Sequence, residues 1–458
     1  MSAVSASPTA SGSVSDPVRA LQHALYRAAK ADPGRRFHAL SDKVYRRDVL
    51  ERAWVNVRRN GGAAGIDRQT IADVEQYGVS RLLGELAADL KDERWRPLAA
   101  RRVFIPKPGG RERRPLSIPT VRDRVVQAAV KIVLEPVFEA DMLDCSFGFR
   151  PRRAAHDALQ VLIDESWRGR RWVVESDIAN CFEAIPHDKL IQAIQERVSD
   201  QAVLKLLRVM LRAGVMTDGQ IQRAGTGTPQ GGVASPLLAN VYLHRIDRAW
   251  DVRQHGVLVR FADDVVVMCT TRQQAEAALV RLRGLLADLG LEPKEAKTRI
   301  VELAVGGDGL DFLGFHHRLV RSDGRRTGKR VTFLARWPMS RAMQRARDRI
   351  RELTVRSRLW LRVGEIVADV NRFLRGWAAY FRFGNSAQHF DKIISYARMR
   401  LVLVVSKRHK RSRAWGRSVV FFQSPNHLGL IRLDGTVAAP RPFRAWRGTP
   451  NAGGERRR

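Results

Sequence analysis

The sequence predicts an α+β fold followed by an all-helical appendage. Two observations carry that expectation: short β-branched runs alternate with helical periodicities as far as about residue 336, and from about 338 the pattern is helical and strongly basic. At 458 residues the chain is long enough for two or three domains, and 44% hydrophobic content marks a folded protein. Residues 1–42 read as a flexible Ser/Ala/Pro-rich tail and a short helix, 17–31, without the basic start and apolar stretch of a secretory signal. A helix over 43–60 stops at Gly61-Gly62, and leucines at helical spacing predict another over 77–93. Residues 101–106 and 114–118 read as two strands joined by a turn at Pro108-Gly109-Gly110. Helices are predicted at 121–140, 153–168, 187–213 with a break, and 237–250 beyond Pro229 and Pro236. The run RWVVESDI at 171–178 is a strand, 257–269 a hairpin and 272–290 a helix; short strands follow near 299–304, 311–316 and 331–336. Helices 341–356, 363–382 and 388–404 complete the pattern, and no internal repeat stands out.

Charge narrows the function. Lys and Arg total 81 against 47 Asp and Glu, a net charge of +34. Such an excess repels itself unless a polyanion neutralises it. An anionic membrane surface would serve, but the basic residues recur along the whole chain rather than in one tail, which favours nucleic acid. No run reaches the roughly 18 apolar residues of a membrane span. Cys145, Cys181 and Cys269 are scattered and form no CxxC pair, which argues against a zinc site or a disulfide framework and suits the cytoplasm.

The most unusual stretch is LVRFADDVVVM at 258–268, which sets Asp263 and Asp264 side by side in an apolar run. Two neighbouring carboxylates repel one another and resist burial. A solvated turn at a hairpin tip would explain the pair, and Asp177, at the end of the 171–178 strand, could cap a nearby helix. If the two strands are neighbours, however, three carboxylates converge. Hard oxygen ligands without His or Cys suit Mg2+, and two such ions activate an attacking hydroxyl and stabilise a leaving pyrophosphate.

In order and spacing, Asp177-Ile178 with Phe182, GTPQGGVASPLLANVYLHRID ending at Asp247, and FADD at 261–264 resemble the motifs of reverse transcriptases. IPKPGG at 105–110, RPLSIPTVRDRVVQ at 114–127, SFGFRPRRAAHDAL at 146–159, FLGF at 312–315 and NRFLRGWAAYF at 371–381 extend the likeness to bacterial group II intron-encoded reverse transcriptases, or maturases, over roughly 45–430. The resemblance implies a right-hand polymerase, with fingers and an antiparallel palm sheet over 43–336 and an all-helical thumb, the maturase domain X, over 337–404. A basic DNA/RNA-binding segment and tail would occupy 405–458.

The same resemblance implies site roles. Asp177, Asp263 and Asp264 would be the catalytic carboxylates that bind two Mg2+ ions, for which Mn2+ can substitute, with the backbone carbonyl of Ile178 as a further ligand. Arg101 (or its neighbour Arg102), Lys107, Arg114, Phe182 and Gln230 would bind the incoming nucleotide. In that role the Phe182 ring excludes a 2′-hydroxyl, although a core Phe would look the same. Lys297 is a candidate general acid toward pyrophosphate, with Lys294 close by. Phe312, Leu313, Gly314 and Phe315 would form the primer grip, or else an ordinary core strand. Arg372, Arg375 and Trp377 would lie on an RNA-binding thumb, which a grip on any template–primer duplex would also explain.

Phe261 stands where the family usually has Tyr, which removes a hydroxyl and keeps the ring. The first hairpin is one residue longer than the family's, which leaves the register of Arg111, Arg113 and Arg114 at the nucleotide site open. No cysteine follows Cys269, so an HNH endonuclease with cysteine pairs is not expected. The expected partners are intron RNA, an RNA template with a DNA primer, target DNA and deoxynucleoside triphosphates, with no membrane. The expected activity is RNA-directed DNA synthesis during retrohoming, together with assistance to splicing. The alternatives are a retron-like, diversity-generating or CRISPR-associated reverse transcriptase, or a splicing factor without polymerase activity.

Overall fold

A computed structural model describes residues 16–106, 113–217, 220–222, 225–227, 231–323, 330–424 and 426–442. Local signals set most helix ends. Asp16 accepts the amides of Val18 and Arg19 at 3.1 and 3.2 Å and starts the helix Pro17–Ala31. The helix expected over 43–60 is two, Ser41–Val44 and Arg47–Asn60, because the chain leaves the helical region at Arg46 (ψ 138°). Gly61 ends the second in the left-handed region at φ 58°. The helix expected over 77–93 is Val79–Lys91, and a short helix that was not expected, Ile71–Tyr77, precedes it across Gly78 (φ 106°). Thr70 and Asp73 cap the earlier one reciprocally, a Thr-x-x-Asp signal present in the sequence.

Eleven strands among the described residues form three sheets. The first runs β2 (Arg113–Ile118), β1 (Ala100–Pro106), β4 (Val215–Thr217) and β5 (Gln220–Gln222), with β1 and β4 parallel. The second, the palm sheet, runs β6 (Val257–Phe261), β7 (Asp264–Cys269), β3 (Trp172–Asp177) and β8 (Arg299–Glu302), antiparallel throughout. The third runs β11 (Arg330–Pro338), β10 (Phe315–Asp323) and β9 (Leu310–Phe312). The short β4–β5 pair was not expected. The strand expected near 311–316 is divided between β9 and β10 by the Leu313-Gly314 turn, and β10 and β11 run beyond the two short strands expected there.

The palm sheet is buried on both faces. Along β7, Val265, Val267 and Cys269 join one core, with the helices Val121–Glu139, Ser235–Arg248 and Arg272–Asp288. Val266 and Met268 join a second core with the helix Ala155–Trp167 and the C-terminal helices. A strand covered on both sides reads as the continuous apolar run seen in the sequence.

The helices Ser340–Leu353, Val363–Phe381, Ala387–Arg408 and Arg413–Phe421 build the thumb. Helix Ala387–Arg408 continues through residue 405, and Val420, Leu430 and Leu433 pack into the same core. At Gly416 the last helix lies so close to its neighbour that a Cβ would be 2.8 Å from the Val402 carbonyl oxygen. No helix among the described residues is long and apolar enough to cross a membrane.

Candidate active site

The candidate carboxylates meet at one end of the palm sheet. β3 and β7 pair in a register that sets Asp177 opposite Asp264, and alternation turns both toward the thumb side, the face of Val173, Val266 and Met268. Asp263 lies in the two-residue turn, Ala262-Asp263, that joins β6 to β7. Its carbonyl accepts the Ile178 amide at 3.1 Å, and the Asp177 carbonyl accepts the Lys294 amide at 2.7 Å. Backbone hydrogen bonds thus tie the turn to the residue after Asp177, and Asp177 to the loop that carries Lys297.

Electrostatics at this end are unfavourable without a cation. Burial, then the charges of Asp263 and Asp177, push the Asp264 carboxyl up from 3.8 to about 7. Lys297 supplies part of the missing charge: its ammonium pairs with the Asp177 carboxylate. Burial pulls the Lys297 pKa down, but the hydrogen bond to Asp177 and the three carboxylates outweigh it and raise it. Among the described residues no three ligating groups form a ready-made metal cage. The donor set nonetheless fits a hard divalent ion, since an ammonium already sits as a cation on Asp177 while Asp264 is destabilised for want of one.

A pH dependence follows. The folded pKa of Asp264 lies above its unfolded value, so between pH about 4 and about 7 the folded protein holds a proton that the unfolded chain has lost. Metal-free stability therefore falls as pH rises through that window. Thermal melts in a chelator should show Asp264→Asn melting above wild type at pH 8 and level with it near pH 4. Equal melting at pH 8 would contradict this electrostatic account.

Beneath the turn lies a group that the sequence analysis did not single out. Arg260 is completely buried. Its Nε and Nη2 donate to the two carboxylate oxygens of Asp247 at 2.8 and 2.5 Å. Its Nη1 donates to Asn240 Oδ1 at 3.1 Å and to the Ala262 carbonyl at 3.2 Å, and Nη2 also donates to Ser146 Oγ at 2.8 Å. Burial opposes the Asp247 charge, yet Arg260 outweighs it and holds that carboxyl below the ordinary value. Ala262 needs such support because its φ of 58° is unfavourable for a residue with a Cβ. Gly148 packs on the same turn, where a Cβ would be 2.5 Å from the Ala262 nitrogen. The motifs around 146–149, 240–247 and 260–264 thus close on one guanidinium. A charged residue inside the apolar LVRF run was the available signal.

The other candidates are dispersed over neighbouring elements. Phe182 is half-buried beside this sheet end and meets Phe149 edge to face at 6.4 Å. Arg101 donates from Nε and Nη2 to the Ala64 carbonyl at 3.2 and 2.8 Å. Arg114 stands opposite Ile105, and Arg113 opposite Pro106, in the β1–β2 hairpin. Lys107, Arg111 and Gln230 lie outside the described residues. Phe312 and Phe315 are buried and flank a turn at Leu313-Gly314, both at positive φ. Tyr380 Oη donates to the Leu313 carbonyl at 2.8 Å, joining this turn to the thumb. Arg372 and Arg375 are exposed on helix Val363–Phe381, Arg372 paired with Asp369 at 2.8 Å. Trp377, expected on the RNA-binding surface, is instead buried against Phe381 and Phe390, each at 5.1 Å. It lies on the apolar stripe of Val370, Leu374 and Phe381, a periodicity legible in the sequence.

An antiparallel palm sheet with carboxylates on adjoining strands, set between helical layers and followed by a helical thumb, is the architecture of a template-directed nucleic-acid polymerase. Comparison with known proteins specifies which kind. Residues 105–317 match the family model for reverse transcriptase (RNA-dependent DNA polymerase), and residues 343–420 match that for the group II intron maturase-specific domain. Protein YkfC of Escherichia coli is 32% identical over 354 residues, which is 68% of this chain and 90% of that protein. The group II intron-encoded protein LtrA of Lactococcus lactis is 38% identical over 214 residues, 46% of this chain but 35% of LtrA. An uncharacterized 91 kDa protein in the cob intron of Schizosaccharomyces pombe is 27% identical over 426 residues, 78% of this chain and 52% of that protein. The chain belongs to the group II intron-encoded reverse transcriptase and maturase family. Its enzyme class is that of RNA-directed DNA polymerases, a family that uses divalent metal ions such as Mg2+.

Proposed function

We propose that the protein binds the RNA of its own intron, assists its splicing and copies it into DNA at a target site, using a pair of Mg2+ ions held by Asp177, Asp263 and Asp264. The register of Asp177 against Asp264, with Asp263 in the adjoining turn, carries this proposal. Bound there with the Ile178 carbonyl as a further ligand, the ions would favour deprotonation of the primer 3′-hydroxyl and offset charge on the departing pyrophosphate. The protein's own groups do the rest. Lys297 rests on Asp177 in the metal-free protein, and its release would leave an ammonium in place to protonate pyrophosphate. The half-buried Phe182 ring would bar a 2′-hydroxyl and so select deoxynucleotides. Arg101, Lys107, Arg114 and Gln230 would hold the nucleotide. The Leu313-Gly314 turn, fixed by Tyr380, would steady the primer end. Arg372 and Arg375 would contact RNA phosphates from the thumb.

The test is extension of a DNA primer on an RNA template with deoxynucleotides and Mg2+, run with and without the neighbouring intron RNA. Extension that requires both the template and a divalent ion is expected, with intron RNA binding to the same protein. A protein that binds the intron RNA and never extends the primer would leave only a splicing factor.

A further inference from the structure

The tertiary structure joins two basic stretches that lie about fifty residues apart in sequence, one of which carries an exposed tryptophan. Helices Ser340–Leu353 and Val363–Phe381 are linked by a short loop containing a 3-10 turn, Arg356–Arg358. Trp360 stands out from this loop at 79% exposure. The loop beneath it is braced. Arg408 Nη1 donates to the Leu359 carbonyl at 2.7 Å and also to that of Leu361, so the residues on either side of Trp360 are held from the end of helix Ala387–Arg408. Arg358 is paired with Asp369 at 2.5 Å.

This contact brings the end of helix Ala387–Arg408 beside the tryptophan loop. Residues 407–414 are all exposed, and they include Lys407, Lys410 and Arg411. The loop adds exposed Arg356 and Arg362. The acidic groups nearby are already engaged, Glu365 by the Arg362 amide and Asp369 by Arg358 and Arg372.

We infer that Trp360 and the 407–411 segment form one composite site for single-stranded RNA, in which an unpaired base stacks on the indole and the flanking phosphates lie against the basic residues. An indole on a braced loop loses little conformational freedom when a base stacks on it, and stacking of this kind tolerates any base. The exposed cations of the loop and of the adjoining 407–411 segment offer contacts to the phosphates that flank such a base. The inference rests on the proposed RNA-binding role of the thumb and assigns it a place and a mode.

The test titrates wild type, Trp360→Ala and Trp360→Phe with a short unstructured RNA oligonucleotide and with a blunt RNA duplex of the same length. Trp360→Ala should bind the single strand about tenfold more weakly. Trp360→Phe should retain most of the affinity, and duplex binding should change little in either variant. Replacing Lys407, Lys410 and Arg411 together by alanine should reduce the salt slope of single-strand binding by about 2. Because Trp360 is exposed, the variant should melt with wild type. Equal single-strand affinity of Trp360→Ala and wild type overturns the inference, and an equal loss on the duplex overturns the stacking mode. Failure of wild type itself to extend a primer or bind intron RNA would be a failure of the underlying functional proposal instead.

Discussion

Asp263→Ala protein is expected to fold, to bind RNA as wild type does, and to lose primer extension by roughly 10^3-fold or more, equivalent to about 4 kcal/mol of transition-state stabilisation. Folding should survive because Asp263 lies in the turn and joins it to Ile178 through its backbone carbonyl, which alanine keeps. RNA affinity should survive because Arg372 and Arg375, the proposed RNA contacts, lie exposed on helix Val363–Phe381 and do not use this side chain. Synthesis should fail because two carboxylates on adjoining strands and a third in the turn are the proposed ligands for both ions, and removal of one leaves an ion under-coordinated. The substitution also removes a charge that lifts Asp264, so the pH at which metal-free stability declines should move down. Primer extension, filter binding and thermal melts separate these effects. A normal rate of synthesis would show that the carboxylates do not form the active site.

Arg260→Ala should be the most destabilising of these substitutions, by about 3–5 kcal/mol, because it leaves the Asp247 carboxylate buried without its counter-charge. Asn240, Ser146 and the Ala262 carbonyl lose a donor at the same time. Urea denaturation measures the loss. A double variant, Arg260→Met with Asp247→Leu, removes both charges and should recover most of that stability, since replacing both partners of a buried pair by apolar groups is often neutral. It does not restore the hydrogen bond to the Ala262 carbonyl. Synthesis should therefore stay depressed while stability returns, which a purely structural ion pair would not produce. Wild-type midpoints for Arg260→Ala would refute the assigned role, as would full recovery of synthesis in the double variant.

Much of the palm was legible because its physics is local. The β-branched runs at 171–178 and 257–269 lie where β3, β6 and β7 lie, and a strand buried on both faces has to be apolar throughout, so aspartates at its end stand out. Helix starts such as Pro17 were legible for the same reason, since a cap is a contact between near neighbours in sequence. Arg46 divided a helix that looked continuous, because hydrophobic spacing passes through a two-residue break. The burial of Trp377 could have been read from its place three and four residues from Leu374 and Phe381, but basic neighbours suggested an exposed surface.

The sequence by itself determined the palm strands, most helices, the basic character of the chain and the placement of aspartates at the ends of apolar runs, because composition, periodicity and short-range hydrogen bonds act between residues close in the chain. Only the tertiary structure decided that Asp177 faces Asp264, that Arg260 binds Asp247 beneath the Ala262-Asp263 turn, and that Arg408 braces the loop of Trp360. Each of these depends on strand register or helix packing between distant segments, and neither is written in the spacing of neighbouring residues.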